Sequence, residues 1–382
     1  MSEFPMLAKT LYNLEDQLFQ ELKELGAGDI VKRNRAVSFT GDKRLMYEAN
    51  LKLRTALSIL KPIEQFFAFD PDRLYRRAKH VEWDRYFDVD KTILIDAVSF
   101  GKFFPHSQFA ALRLKDSIAD YFMAKYKRRP SVDKQNPDIR INLHITDKQC
   151  RISLDSSGQT LDKRGYRTEH TEAPMNEVLA AGLLMTSGAM EKDEIHDPMC
   201  GSGTIAIEAA MMAADVAPGF NRHFSFEHWK DFDPDLWKQL KGEARRQQHK
   251  PKIKIIASDL DMRAIEVTLR NATRARVDKY MDIKNMDFFQ SYPKKENGLI
   301  IMNPPYGERL EKDKQMPEFY KQIGDHLKQH YAGWEARVFS GNLQAIKMLG
   351  LKPSEKQKFY NGALECRLHR YDLYSGSKKR EI

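Results

Sequence analysis

The chain has 382 residues, of which 41% are apolar and 31% charged, and a formal net charge of +9. That length and balance support more than one core and exclude a disordered or fibrous chain; no apolar run nears the ~18 residues of a membrane span. Three widely separated cysteines, Cys150, Cys200 and Cys366, speak against a disulfide framework or a zinc cluster, so no metal is expected.

Glu3, Lys9, Glu15 and Asp16 argue against a secretory leader, and the cytoplasm is the expected compartment. Residues 5–12 alternate as a strand. Leu14, Leu18, Leu22 and Leu25 share one face of a helix, which Gly26-Ala-Gly28 stops. A short strand at 36–39 precedes a second amphipathic helix predicted over 44–60. The pattern then gives a helix at 71–79, a strand at 92–98 and a long helix over 107–127, whose apolar side holds Phe109, Leu112, Ile118, Tyr121 and Phe122. Lys125, Lys127, Arg128 and Arg129 crowd its end. Such cations either face solvent at the negative pole of the helix dipole or contact phosphates. Strands at 139–145 and 149–155 follow, and the turn cluster Asp155-Ser-Ser-Gly158 marks a boundary. The expected division is 1–62, 63–155 and 156–382.

Residues 161–167 carry three cations around Tyr166 and Gly165, and a helix over 174–186 buries Val178, Leu179, Leu183 and Met185. From Ile195 to Ala210 the chain reads as strand, tight turn and helix. Gly201 and Gly203 allow positive φ and close approach to a ligand, while the helix starting near Thr204 presents unpaired N–H groups. The turn, Asp197, Pro198, Met199, Cys200, Gly201, Ser202, Gly203 and Thr204, lacks the Gly-Lys-Ser/Thr ending of a P-loop and the third glycine of a nicotinamide fingerprint. Residues 215–250 interrupt the alternation with Phe220, Phe224, Phe226, Trp229, Phe232 and Trp237, which either stack on single-stranded RNA or form a small core. Strands at 253–259 and 281–285 follow. His326 and His330, four apart on a helix over 317–329, lack a third metal ligand and read as a solvated face. A strand at 336–339 and a hairpin about Asn361-Gly362 end the pattern.

The apolar strand from Gly298 stops at Asn303, Pro304, Pro305 and Tyr306, where the prolines withhold two donors and leave carbonyls free. A base amino nitrogen has its lone pair delocalised into the ring and attacks an electrophilic methyl group poorly. The Asn303 side-chain oxygen and the Pro304 carbonyl could accept both amino hydrogens and favour a pyramidal nitrogen, while Tyr306 stacks on the base.

Together, Asp197 to Thr204 and Asn303 to Tyr306 resemble the S-adenosylmethionine-dependent amino-methyltransferases. The first half, through Leu51 to Ala56, Gln108 to Ile118, Arg129 to Asp133 and Pro137 to Asn142, resembles their subgroup with a ferredoxin-like segment and a THUMP RNA-binding module. The resemblance implies a doubly wound, Rossmann-like class I methyltransferase domain preceded by a smaller α+β region. It further implies S-adenosylmethionine over the glycine turn, lined by Arg164, Gly165, Tyr166 and Arg167. Asp259, closing the second strand, is placed for the ribose hydroxyls, with Asp261 as rival or helix cap. Asp287 would accept from the adenine amino group with Phe288 on the ring, or form an Asx turn beside a core aromatic. The closest group methylates guanine N2 in large-subunit ribosomal RNA, and transfer RNA is the alternative substrate. An RNA-binding assembly factor with a vestigial cofactor fold is the reading from another class.

Overall fold

The computed structural model describes residues 2–167, 175–305 and 316–374. The chain divides into two compact units, one of residues 1–10, 18–161 and 222–243, the other of 11–17, 162–221 and 244–382. The elements of the first half are β1 (Phe4–Thr10), α1 (Glu15–Glu24), β2 (Gly28–Arg33), β3 (Ala36–Gly41), α2 (Lys43–Lys52), β4 (Ala56–Phe67), α3 (Pro71–Lys79), β5 (Ile93–Phe100), α4 (Ser107–Tyr126), β6 (Ile139–Thr146) and β7 (Gln149–Asp155). Their strands form one seven-stranded sheet in the order β2-β3-β1-β4-β7-β6-β5. Strand periodicity sends Met6, Ala8, Val37, Ile141, Leu143 and Ile152 into the core, while Lys9, Ser38, His144 and Arg151 alternate onto the other face and stay partly exposed.

The helix expected over 44–60 is corrected. It ends at Lys52, Leu53 is extended, and Ala56–Phe67 is a twelve-residue strand in the middle of the sheet. Pro62, which a helix interior would not tolerate, sits where the pairing with β7 shifts register between Pro62 and Glu64. Strand β2 was not expected; it is a mostly exposed edge strand with little apolar signal.

The second half contains α5 (Glu177–Thr186), β8 (Glu194–Asp197), α6 (Thr204–Ala213), α7 (Pro234–Gln247), β9 (Lys254–Asp259), α8 (Met262–Arg274), β10 (Met281–Asn285), β11 (Gly298–Met302), α9 (Met316–His330), β12 (Glu335–Ser340), β13 (Glu355–Asn361) and β14 (Leu364–Asp372). The sheet order is β10-β9-β8-β11-β12-β14-β13. The five strands from β10 to β12 are parallel, and β14 and β13 close the sheet antiparallel. The order reverses between β8 and β11, so right-handed crossovers put helices on both faces, as in a doubly wound fold. Every residue of β8, β11 and β12 is accordingly buried. Helix α5 starts at Glu177, later than expected, because the Asn176 side chain caps it by accepting from Val178 and Leu179 N–H at 2.9 and 3.2 Å.

The aromatic stretch is a core. Phe224, Phe226, Trp229 and Trp237 are at most 4% exposed. Tyr47 of α2 stacks on Phe226 at 4.3 Å and meets Trp237 edge-on at 6.0 Å, while its hydroxyl accepts from the Asp233 N–H at 3.0 Å. Residues 222–243 thus complete the first unit although they lie within the sequence of the second, and these four rings are not open to bases.

Candidate active site

The site grows from the carboxyl end of β8. Asp197 is 1% exposed, and the chain then turns through Gly201 at φ +54° and Gly203 at φ +81° into α6. A Cβ on Gly203 would lie 2.7 Å from the Thr268 methyl, whereas one on Gly201 would meet nothing within 4 Å. Gly203 is therefore demanded by packing, and Gly201 faces the open side. The turn is pinned from below: Cys200 N–H donates to the Ser258 carbonyl at 3.0 Å and Gly201 N–H to Asp259 Oδ2 at 2.9 Å. From α8 the Thr268 hydroxyl donates to the Gly201 carbonyl at 2.9 Å and the Asn271 amide to the Ser202 carbonyl at 3.0 Å. Pro198 and Met199 carry the chain from β8 into this turn.

Burial pushes the Asp197 carboxyl up to about 8, and the neighbouring Asp259 carboxylate adds to the shift, against N–H donation from Met199 and Ala206. Asp197 Oδ1 has no hydrogen-bond partner among the described residues. Asp259 sits at the end of β9 as expected, its Oδ1 accepting from Asp261 N–H at 3.0 Å; Asp261 caps α8 through Arg263 N–H at 2.9 Å. Across the pairing, the Asn285 amide donates to the Asp259 and Leu260 carbonyls at 3.0 and 2.9 Å. Asp287, just beyond β10, forms the Asx turn, Oδ1 accepting from Phe289 N–H at 3.0 Å. Phe288 is 3% exposed in the core, its ring 4.7 Å from His326, so its faces are taken by protein. His326 is corrected as well: it is 7% exposed with Nε2 2.9 Å from the Ser291 carbonyl, not part of a solvated face.

Strand β11 runs beside β8, Ile300 opposite His196, so the loop after Met302 and the glycine turn leave neighbouring strands at the point where the strand order reverses. Open α/β sheets bind ligands there. Asn303 is half-buried, and its Oδ1 is fully buried without a hydrogen-bond partner among the described residues. Pro304 is buried and Pro305 partly exposed; Tyr306 lies outside the described residues.

Of the four residues expected to line the cofactor, Arg164 and Tyr166 turn into protein, 2% and 1% exposed, with Arg164 Nε at 3.4 Å and the Tyr166 hydroxyl at 3.2 Å from Glu208 of α6. Gly165 takes φ +87°, where a Cβ would lie 2.7 Å from the Asn221 carbonyl oxygen. Arg167 donates to the Thr204 hydroxyl at 2.8 Å and the Met175 carbonyl at 3.0 Å and lies 3.3 Å from Glu177, whose carboxyl burial lifts to about 7. These contacts hold the segment against the start of α6. Sequence reasoning missed Glu208, Thr268 and Asn271; their one signal was a polar residue interrupting the apolar face of a helix.

In the other unit, the cations at the end of α4 meet acids. Lys125 and the Tyr126 hydroxyl each reach Asp84 at 2.6 Å, where the Tyr121 hydroxyl also donates. Arg128 pairs with Asp90 and Arg129 lies 3.8 Å from Asp120, while Lys127, at φ +57°, places Nζ 3.4 Å from the Ala124 carbonyl. Among the described residues no group of three His, Cys, Asp or Glu side chains could hold a metal, and no helix is long and apolar enough to cross a membrane.

Comparison with known proteins places this geometry. Residues 164–370 match the RMKL-like methyltransferase domain, 68–155 the THUMP domain and 5–60 the RlmL ferredoxin-like domain. A proposed RNA methyltransferase of Synechocystis sp. is 38% identical over 97% of both chains. The ribosomal RNA large subunit methyltransferase K/L of Syntrophotalea carbinolica is 38% identical over 94% of this chain, which spans only 52% of that relative. Among solved structures, SMU.472, a proposed methyltransferase complexed with SAH, superposes with a TM-score of 0.87 at 29% identity, covering 99% of this chain and 100% of its own.

Proposed function

The chain belongs to the family of RMKL-like methyltransferases, and from that premise we propose that it transfers a methyl group from S-adenosylmethionine to the exocyclic N2 of a guanine in large-subunit ribosomal RNA. Asn303 carries this reading. Its buried side-chain oxygen has no partner among the described residues, at the end of the strand beside the glycine turn. A buried acceptor left unsatisfied costs about 1–3 kcal/mol, and an exocyclic amino group supplies the missing donor.

The residues around the turn fit the cofactor. Gly201 leaves the backbone approachable, and the Asp197 oxygen without a partner among the described residues suits a hydrogen-bond donor of the ligand. Asp259 and Asp287, at the ends of adjacent strands, are acceptors for the ribose hydroxyls and the adenine amino group. When bound, S-adenosylmethionine supplies an electrophilic methyl group on a sulfonium.

The base must leave its stack to enter. Asn303 Oδ1 and the Pro304 carbonyl accept from the two N2 hydrogens and draw the nitrogen toward a pyramidal geometry, freeing its lone pair to point at the methyl carbon. Tyr306 follows in sequence and would stack on the base. The methylated nitrogen then returns its extra proton to water, so the chain needs positioning and dipoles more than a strong base. The THUMP match over 68–155 supports RNA as the substrate.

The test is nucleoside mass spectrometry of ribosomal and transfer RNA after incubation with the purified chain and labelled S-adenosylmethionine. N2-methylguanosine gained in large-subunit RNA, and formed far more slowly with Asn303→Ala, is expected. Label found only in transfer RNA, or on adenine, would overturn the assignment.

A further inference from the structure

Pairing register determines which side chains share the accessible face of the first unit's sheet. Phe67 lies opposite Gln149, Gln149 opposite Thr146, and Thr146 opposite Phe100, one rung across four strands. The next rung is Gln65, Arg151, His144 and Val98. Phe67 is 57% exposed, Phe100 60% and Val98 40%. Two phenylalanines left this open about 14 Å apart, three strand spacings, form a surface that folding does not use.

From these rungs a cavity of about 620 Å³ continues over β1 and β3. Lys9, Arg33, Arg151 and His144 line it, and no carboxylate is among its lining residues. Burial, and then the nearby Arg151 and Lys9, depress the His144 pKa. The contrast is the cavity of about 580 Å³ beside the end of α4, where Arg113, Lys115 and Arg129 are matched by Asp116 and Asp120.

We propose that this open sheet face binds an unpaired segment of RNA, with Phe67 and Phe100 stacking on bases and Lys9, Arg33 and Arg151 contacting phosphates. The proposal rests on the reading of RNA as substrate and gives it a docking surface. Aromatic faces accept any base, and cations lining a cavity without carboxylates track the backbone; together they make a platform for single strands. The exposed amide of Gln65 on the same face offers hydrogen bonds to base edges.

The experiment measures binding of a fluorescent single-stranded oligoribonucleotide of about ten residues to the whole chain by anisotropy, across a salt series. Phe67→Ala with Phe100→Ala is expected to weaken binding about tenfold or more without changing the salt slope. Lys9→Gln, Arg33→Gln and Arg151→Gln are each expected to lower the slope by about 0.7. All five positions lie on the surface, and unchanged thermal unfolding verifies that the variants fold. Absence of binding by the parent chain overturns the proposal. So does parental binding in both sets of variants, or a loss seen only on removing charge at Arg128 and Arg129. Methyl transfer is read separately. Intact oligonucleotide binding without guanine-N2 product sinks the catalytic assignment and leaves this surface standing, whereas normal cofactor binding with no oligonucleotide binding does the reverse.

Discussion

Two side chains concentrate the chemistry. Replacing Asn303 with Ala removes the acceptor for the amino group and should lower kcat by a factor corresponding to about 2–4 kcal/mol, with S-adenosylmethionine affinity near parental by calorimetry. An unchanged kcat would remove Asn303 from the mechanism. Asp197 allows a test by pH. Its carboxyl is ordinary at 3.8 in the unfolded chain and about 8 when buried, so the folded protein keeps a proton that the unfolded chain gives up. Its contribution to stability is complete below the lower value and drains away as pH rises to the upper one. Thermal unfolding followed from pH 4 to 8 should therefore decline less steeply for Asp197→Asn, which holds the neutral form at all pH values, than for the parent. Equal slopes would mean that Asp197 is ionised in the fold.

At the scale of elements, the glycine turn separates conformational need from ligand access. Ala at Gly203 must push the Thr268 methyl aside from 2.7 Å and hold φ +81°, so a loss of about 1–3 kcal/mol in unfolding free energy is expected. Ala at Gly201 meets no neighbour and carries only the left-handed strain, about 1–2 kcal/mol, yet it projects into the open side of the turn. Denaturant unfolding together with cofactor titration should show Gly201→Ala with the larger affinity loss per unit of stability lost. The opposite ranking would place the cofactor elsewhere. The two turns with their adjoining strands were legible from local chemistry, because glycine, proline and a strand-ending polar residue act within a few positions. Strand β4 was not: Leu57, Ile59 and Leu60 satisfy a helical face as well as a strand, and the deciding partners, β1 and β7, lie far off in sequence.

Across the whole molecule, residues 222–243 show chain order and spatial order parting. Trp237 and Phe226 close over Tyr47, nearly two hundred residues earlier, so Trp237→Ala should cost about 3–5 kcal/mol and reduce hydrogen-exchange protection in α2 as well as in α7. Loss confined to α7 would mean that the insertion folds by itself. The charge at the end of α4 teaches the same lesson. Lys125, Lys127, Arg128 and Arg129 read as a solvated helix end or a phosphate site, and the fold brings Asp84 and Asp90 from other segments, with Asp120 of α4 itself, to face three of them. By contrast Phe67, Phe100, Lys9 and Arg151 share no pattern in sequence and share a face only once the strands are in register.

The residues alone determined the glycine turn, the proline loop and the carboxylates that end the second and third strands, since each depends on backbone chemistry within a short window, whereas the doubly wound class was implied by the family resemblance that the two turns carry. Folding alone decided that Asn303 Oδ1 is buried without a partner among the described residues, that Arg164 and Tyr166 turn inward to Glu208, that the aromatic stretch is a core, and which cations line a cavity that holds no carboxylate. Burial, partnering and net local field are sums over neighbours brought from anywhere in the chain, and no window of sequence contains those terms.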